Sequence, residues 1–334
     1  IGVMQKTRKL NFLSLSTYER LEIYRFVLLL SLYDIGLILR GFAVNAAIYG
    51  LNPQAHKMTK KRLRLGLAGL IDTGEWKKAQ KLIVQYGVRY NKLEAFRLAD
   101  EFLCAVNKES ECFKNIDFKY KNLVKDKTIA IVGPVEDVSH DKSEIDTFDI
   151  KVGFSIMTDQ NNILRAERYH NYDVSYYSKR IAWCIMQKTN LYSIAHFLKF
   201  AVFRGRLKSS RDMLLKDTGI NGRSMTEYKS ILLNGSFNLV PNALMDVLKY
   251  GPRKVKLFNL DLFSSNKYIM SYHPAGVTTD SIAKLAIGHD LITQFNLLYN
   301  CWNNNLFEAD EVLDNILSNG VDHYVHVLQL RFKS

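Results

Sequence analysis

Two histidines could carry chemistry in this chain: His273 in Ser-Tyr-His-Pro and His289 in Gly-His-Asp-Leu, 16 residues further on. Imidazole titrates near pH 6.5, so at neutral pH it serves as a general base or as a protonated partner for an anion. A lone histidine is more often structural; two of them after the last strand of a sheet strengthen the catalytic reading. The second chemical feature is a strand end, Ile131-Val132-Gly133-Pro134, where a residue without a side chain lets backbone approach a phosphate or ribose. Other chemistries lack their motifs. There is no G-x-G-x-x-G, no G-x-x-x-x-G-K-[ST], no G-x-S-x-G elbow and no H-E-x-x-H. No Asp-x-Asp occurs, which argues against glycosyl transfer through a metal-held diphosphate. Cys104, Cys112, Cys184 and Cys301 are scattered without zinc-site spacing, as expected of thiols in a reducing compartment.

The elements that must position these residues fall into two textures. From 17 to 114 the pattern is helical. Leu21, Tyr24, Leu28, Ser31 and Leu32 trace one face, which Ile35, Leu37, Ile38 and Phe42 continue at three-to-four spacing. Helices over 63–70 and 76–86 follow, joined by Asp72, Thr73 and Gly74, with Gly87 expected to cap the second. Another helix is expected over 92–106. Gly-Glu-Trp-Lys-Lys-Ala-Gln-Lys-Leu-Ile at 74–83 is similar to the helix starts of tetratricopeptide hairpins, but no repeat period accompanies it. Beyond 126, short β-branched runs predict strands at 128–132, 148–156, 174–177, 182–186 and 254–260. Helices are expected at 194–203, 242–250 and 291–299. Alternation of this kind predicts an α/β sheet, parallel or mixed and covered on both faces, with ligands beyond the carboxyl ends of its strands. Residues from Gly133 onward and 259–263 are the places to look.

Charge follows the same division. The 334 residues carry a formal net charge of +13, and residues 1–125 alone hold 22 Lys+Arg against 11 Asp+Glu. The densest run is Lys57, Lys60, Lys61, Arg62 and Arg64, which either attracts phosphate-bearing partners or is a solvated helix face. The most apolar stretch is broken by Arg25, Asp34 and Arg40. Its longest uncharged run, 26–33, is far short of the roughly 18 residues that suggest a membrane span.

The carboxyl-terminal part resembles the sialyltransferase family. Ile129-Ala130-Ile131-Val132-Gly133 with Glu144-Ile145-Asp146-Thr147-Phe148-Asp149 is similar to the large sialyl motif. Residues 234–261, with their Val-x-Leu-Phe-Asn-Leu-Asp strand, stand where the small motif should. Tyr272-His273 falls at motif III, and Gly288-His289-Asp290-Leu291 onward resembles the very small motif, with Gln294 at its glutamate. The likeness covers about 129–300 and does not reach the basic third. Departures are clear: Pro134 replaces an asparagine, Ser155 another, and the small motif's Ser-Thr-Gly is not legible in Gly235-Ser236-Phe237-Asn238. The bridging cysteines of animal members are missing, which fits a bacterial, cytoplasmic relative.

The resemblance implies a Rossmann-like sheet of the GT-A-variant type, with helices on both faces. It implies inverting, metal-independent transfer of an acidic sugar, sialic acid or Kdo, from its CMP ester to a glycan or glycolipid hydroxyl. His289 would be the general base and His273 would hold the donor phosphate. Gly133, Pro134, Ser155, Gly235, Ser236, Phe237, Asn238 and Tyr272 would cradle the nucleotide. No metal or other cofactor is expected, and no nucleic acid partner. Residue by residue, plainer roles stand beside these: Asp290, or His289, as the cap of the 291–299 helix, and Asp146 and Asp149 as turn residues. The expected organisation is a basic helical domain at 1–125, docking on the inner membrane or an acceptor, and a catalytic domain at 126–334. The alternatives are a Rossmann-like methyltransferase and a non-catalytic basic module for membranes or nucleic acid.

Overall fold

A computed structural model describes residues 15–54, 56–90, 92–107, 117–135, 142–156, 172–178, 198–205, 218–265 and 289–332. Helices come first: α1 (Thr17–Leu29), α2 (Tyr33–Tyr49), α3 (Lys60–Asp72), α4 (Trp76–Tyr90), α5 (Glu94–Val106) and α6 (Phe118–Val124). Local chemistry sets several starts. Ser16 and Glu19 form a reciprocal capping box on α1, and Thr59 and Asp117 accept from the first turns of α3 and α6. Gly87 does not end α4, which runs on to Tyr90. The buried Tyr90 ring packs near Phe96, and that burial outweighs the roughly 1 kcal/mol that an interior glycine costs a helix.

Beyond 126 the chain builds β1 (Thr128–Val132), the short α7 (Lys142–Asp146), β2 (Ile150–Phe154), β3 (Val174–Tyr177), β4 (Phe200–Arg204) and β5 (Asn221–Met225). A 3-10 turn at Lys229–Ile231 leads to α8 (Leu239–Leu248), then β6 (Lys254–Phe258), α9 (Leu291–Asn303), β7 (Glu308–Ala309), α10 (Glu311–Ser318) and α11 (Gly320–Phe332). The seven strands form one sheet in the order β5-β4-β3-β2-β1-β6-β7, and every pair is parallel. Adjacent residues of β1, β3 and β4 are buried together, so the sheet is covered on both sides. The protein is therefore an α/β fold with a helical region ahead of its sheet.

Some expectations shift in the structure. Residues 200–203 are strand, not helix. Phe200, Ala201, Val202 and Phe203 are all buried between β3 and β5, and a continuous apolar run carries no period that separates a buried strand from a helix. The strand expected at 182–186 and the start of the 194–203 segment lie outside the described residues. On α2 the apolar stripe of Ile35, Ile38 and Phe42 is exposed, and the buried face is instead Gly36, Arg40, Ala43, Val44 and Ala47. Small residues there let α1 come close: a Cβ on Gly36 would sit 3.0 Å from Leu28 Cδ2.

One hydrophobic cluster runs from Leu21 to Phe332 through helices and sheet alike. Among the described residues, no helix is long and apolar enough to cross a membrane.

Candidate active site

The sheet reverses its winding between β1 and β6: strands 1 to 5 progress to one side, and β6 and β7 lie on the other. Such a switch point opens a crevice at the carboxyl ends of the strands. Gly133 sits there. Its N–H donates to Phe258 O at 2.7 Å, and a Cβ on it would meet Asn259 O at 2.3 Å. Glycine is thus required by strand packing at this position.

Ser155, Asn259, Leu262 and Phe263, just past β2 and β6, all have positive φ without being glycine. Each costs on the order of 1–3 kcal/mol, a strain that tends to collect at functional edges. Ser155 Oγ and Asn259 Oδ1 are buried and find no hydrogen-bond partner among the described residues. Asp149 lies at the opposite end of the sheet, where it accepts from Thr128 N and Oγ1 at 2.8 and 2.9 Å and ties the starts of β1 and β2 together.

The second half of the site joins two segments more than fifty residues apart. Helices α8 and α9 each lead into a strand of the parallel sheet, so their amino termini face its carboxyl edge. The loop before α8 packs against the start of α9. Gly235 has φ +71°, and a Cβ there would stand 3.0 Å from Asp290 Cβ and 3.1 Å from His289 C. His289 Nδ1 lies 2.9 Å from Ser236 O. A carbonyl only accepts, so Nδ1 carries the proton and Nε2 presents its lone pair. No described residue hydrogen-bonds Nε2. Burial pushes the His289 pKa below 6.5 against the opposing pull of the Ser236 carbonyl, which leaves the ring neutral at physiological pH.

Gln294 closes this arrangement. Its amide nitrogen donates to His289 O at 2.6 Å and Ser236 O at 3.1 Å, and its oxygen accepts from Asn238 N at 3.0 Å. A glutamate would lack both donors. Asp290 caps α9 through Thr293 N at 3.1 Å and accepts from Tyr24 Oη at 2.8 Å and Asn234 Nδ2 at 3.0 Å. Its carboxylate therefore holds the loop and α1 in place rather than orienting His289. Phe237 buries its ring in the core, and only its backbone belongs to the loop.

Beside Ser236 opens a cleft of about 430 Å³ lined by Arg25, Leu29, Arg64, Lys229 and residues 232–236. Among the described residues no acidic side chain lines it. Burial, and then the neighbouring Arg25 guanidinium, push the Arg64 pKa down, the signature of cations crowded together and partly desolvated. The helical region thus contributes Arg25 and Arg64 directly to the cleft.

Of the residues singled out in the sequence, the structure brings His289 together with Gly235, Ser236 and Asn238. Gly133, Pro134 and Ser155 lie along the carboxyl edge, without a hydrogen bond to that loop among the described residues. Tyr272 and His273 lie outside the described residues. Sequence reasoning missed Tyr24, Asn234 and Arg25 as site-forming groups. Tyr24 reads as one more apolar position of α1, and nothing local signals a hydrogen bond to Asp290 across 266 residues. No family model, curated protein or solved structure matches this chain.

Proposed function

We propose that this protein is a metal-independent, inverting glycosyltransferase that moves an acidic sugar, sialic acid or Kdo, from its CMP ester to an acceptor hydroxyl. The observation that carries the reading is His289: a neutral imidazole with Nδ1 committed to Ser236 O, of the loop that the resemblance assigns to the donor, and with Nε2 open. The carboxyl edge of the parallel sheet supports a Rossmann-like nucleotide site of the GT-A-variant type. Gly133 there lets the Asn259 backbone close against the end of β1, and Ser155 Oγ just past β2 offers an uncommitted polar group.

In this mechanism Nε2 takes the proton of the acceptor hydroxyl. The hydroxyl oxygen forms a bond to the anomeric carbon from the face opposite the phosphate. The bond from that carbon to the phosphate oxygen breaks, its electron pair stays with the phosphate, and CMP leaves. Configuration inverts because attack and departure are on opposite faces. Charge on the departing phosphate rises through the transition state, and fixed cations aimed at it stabilise that change. Arg25, Arg64 and Lys229 can serve an anionic substrate in this way. By resemblance, His273 would do so at the donor phosphate. The reaction would take place in the bacterial cytoplasm.

The test is calorimetric titration with CMP, CDP, UDP and S-adenosylhomocysteine in EDTA, on wild type and His289→Gln. CMP should bind both proteins without metal, while sugar transfer from its CMP ester falls about 10²–10⁴-fold in the variant. A folded protein that ignores CMP overturns the reading. Binding of S-adenosylhomocysteine in its place establishes the methyltransferase alternative.

A further inference from the structure

Exposed apolar surface is concentrated in one place. Of the twelve large hydrophobic side chains that stand exposed among the described residues, eight lie between positions 18 and 49. On α2, Ile35, Ile38, Phe42 and Tyr49 recur at helical spacing along one outward stripe, with Ile38 62% exposed. No charged side chain interrupts that stripe between positions 35 and 49, since Arg40 turns inward to Asp72 and Thr293. On α1, Phe26 is 60% exposed, and Leu29 and Leu30 extend the surface into the turn that joins the helices.

Cations border one end of this surface, and the hairpin also exposes the acids Glu19, Glu22 and Asp34. The run Lys57, Lys60, Lys61 and Arg62 lies at the end of the hairpin where α1 begins and α2 finishes. Lys61 Nζ stands 4.6 Å over the Tyr18 ring, and the Tyr49 ring meets His56 at 5.4 Å.

We propose that the α1–α2 hairpin docks on an anionic lipid surface, with the α2 stripe entering the interface and Lys57, Lys60, Lys61 and Arg62 meeting the headgroups. An uncharged apolar face edged by lysine and arginine is the composition of an interfacial helix. Charge argues for lipid over a second copy of the chain, because a protein of formal charge +13 repels itself.

The position of α1 explains what docking accomplishes. Tyr24 reaches Asp290, and Leu29 both extends the apolar surface and lines the cationic cleft beside Arg25, so the cleft opens at the edge of that surface. A substrate carried on lipid would be presented at that edge. The docking itself rests on exposure and charge, independently of the transfer reaction.

The experiment is co-sedimentation of the whole chain with vesicles of phosphatidylcholine alone, or of phosphatidylcholine with an equal part of phosphatidylglycerol. Circular dichroism and light scattering run alongside. Binding to the anionic vesicles should exceed binding to neutral ones by about tenfold or more and weaken as salt shortens the Debye length. The double variant Ile38→Glu, Phe42→Glu should keep its fold and lose binding. Lys60→Glu, Lys61→Glu should retain only a weak, charge-insensitive remnant. Absence of wild-type binding overturns the proposal, as does binding indifferent to the Ile38 and Phe42 changes. A wild-type dimer that these changes dissociate also overturns it, by assigning the face to self-association.

Discussion

Two of the buried carboxylates, Asp246 and Asp290, have surroundings that differ in kind. Asp246 on α8 is paired with Arg223 of β5, and Tyr176 Oη donates to it at 2.8 Å. Arg223 in turn donates to Tyr250 Oη at 2.8 Å and lies 4.4 Å over the Tyr120 ring. Cation and anion are matched there, and aromatic rings fill the space around them. Asp290 is held by neutral donors: a tyrosine hydroxyl, a side-chain amide and a backbone N–H. The residue before it is a histidine with an open nitrogen, and the loop that Asp290 fixes lines a cationic cleft. The first centre locks α8 against the sheet, and the Arg223 nitrogen left without a hydrogen bond among the described residues, Nε, faces the Asp117 carboxylate at 3.8 Å. The second holds a loop and two helices, α1 and α9, in register around a group that still has a bond to make.

Removing one partner of the ion-paired centre should have the largest effect. Arg223→Ala leaves Asp246 buried and uncompensated and should cost about 3–5 kcal/mol, read as the denaturant midpoint. An Arg223→Met variant as stable as wild type would show that packing alone supports α8.

At the open centre, His289→Gln should leave stability near wild type while kcat falls by about 10²–10⁴. The pH profile sharpens this. Because burial lowers the His289 pKa, kcat/KM should hold through neutrality and fall only below pH 6.5, as the ring protonates. Stability moves the same way: the unfolded histidine binds its proton first, so stability drops as pH falls from 6.5 toward the lowered value. An acid limb above 6.5 would contradict the burial argument.

Gln294→Glu removes two donors from Ser236 O and His289 O and should cost about 1–3 kcal/mol, with a larger loss of activity than of stability. Tyr24→Phe is the mildest change. It takes one of three hydrogen bonds from Asp290 and should cost about 0.5–1.5 kcal/mol. A drop in transfer without a change in CMP affinity would place α1 among the positioning elements.

Cutting the chain after residue 125 probes the two textures seen in the sequence. Helices and sheet share one hydrophobic cluster, so the separated piece 126–334 should expose apolar surface and bind a hydrophobic dye.

How much was legible beforehand follows from the range of each interaction. Strands β1 and β3 and the start of α9 under its Asp290 cap depend on neighbours within a few residues, and they are readable as such. His289 was legible as a reactive type, and the loop at 235–238 as its companion only through resemblance. Residues 200–203 misled because a doubly buried strand shows no alternation. The edge strand β5, Asn-Gly-Arg-Ser-Met, was invisible because its polar composition gives no strand signal and its pairing with β4 comes from the tertiary fold.

The sequence by itself determined that a basic helical region precedes an α/β sheet, since period, capping and charge are local properties. Only the tertiary structure decided the sheet order and its switch point at Gly133, the meeting of His289 with Ser236, and which face of α2 is covered. A helical period says that a face is apolar. Whether protein or solvent lies against it depends on partners hundreds of residues away, such as α11 on the inner side of α2.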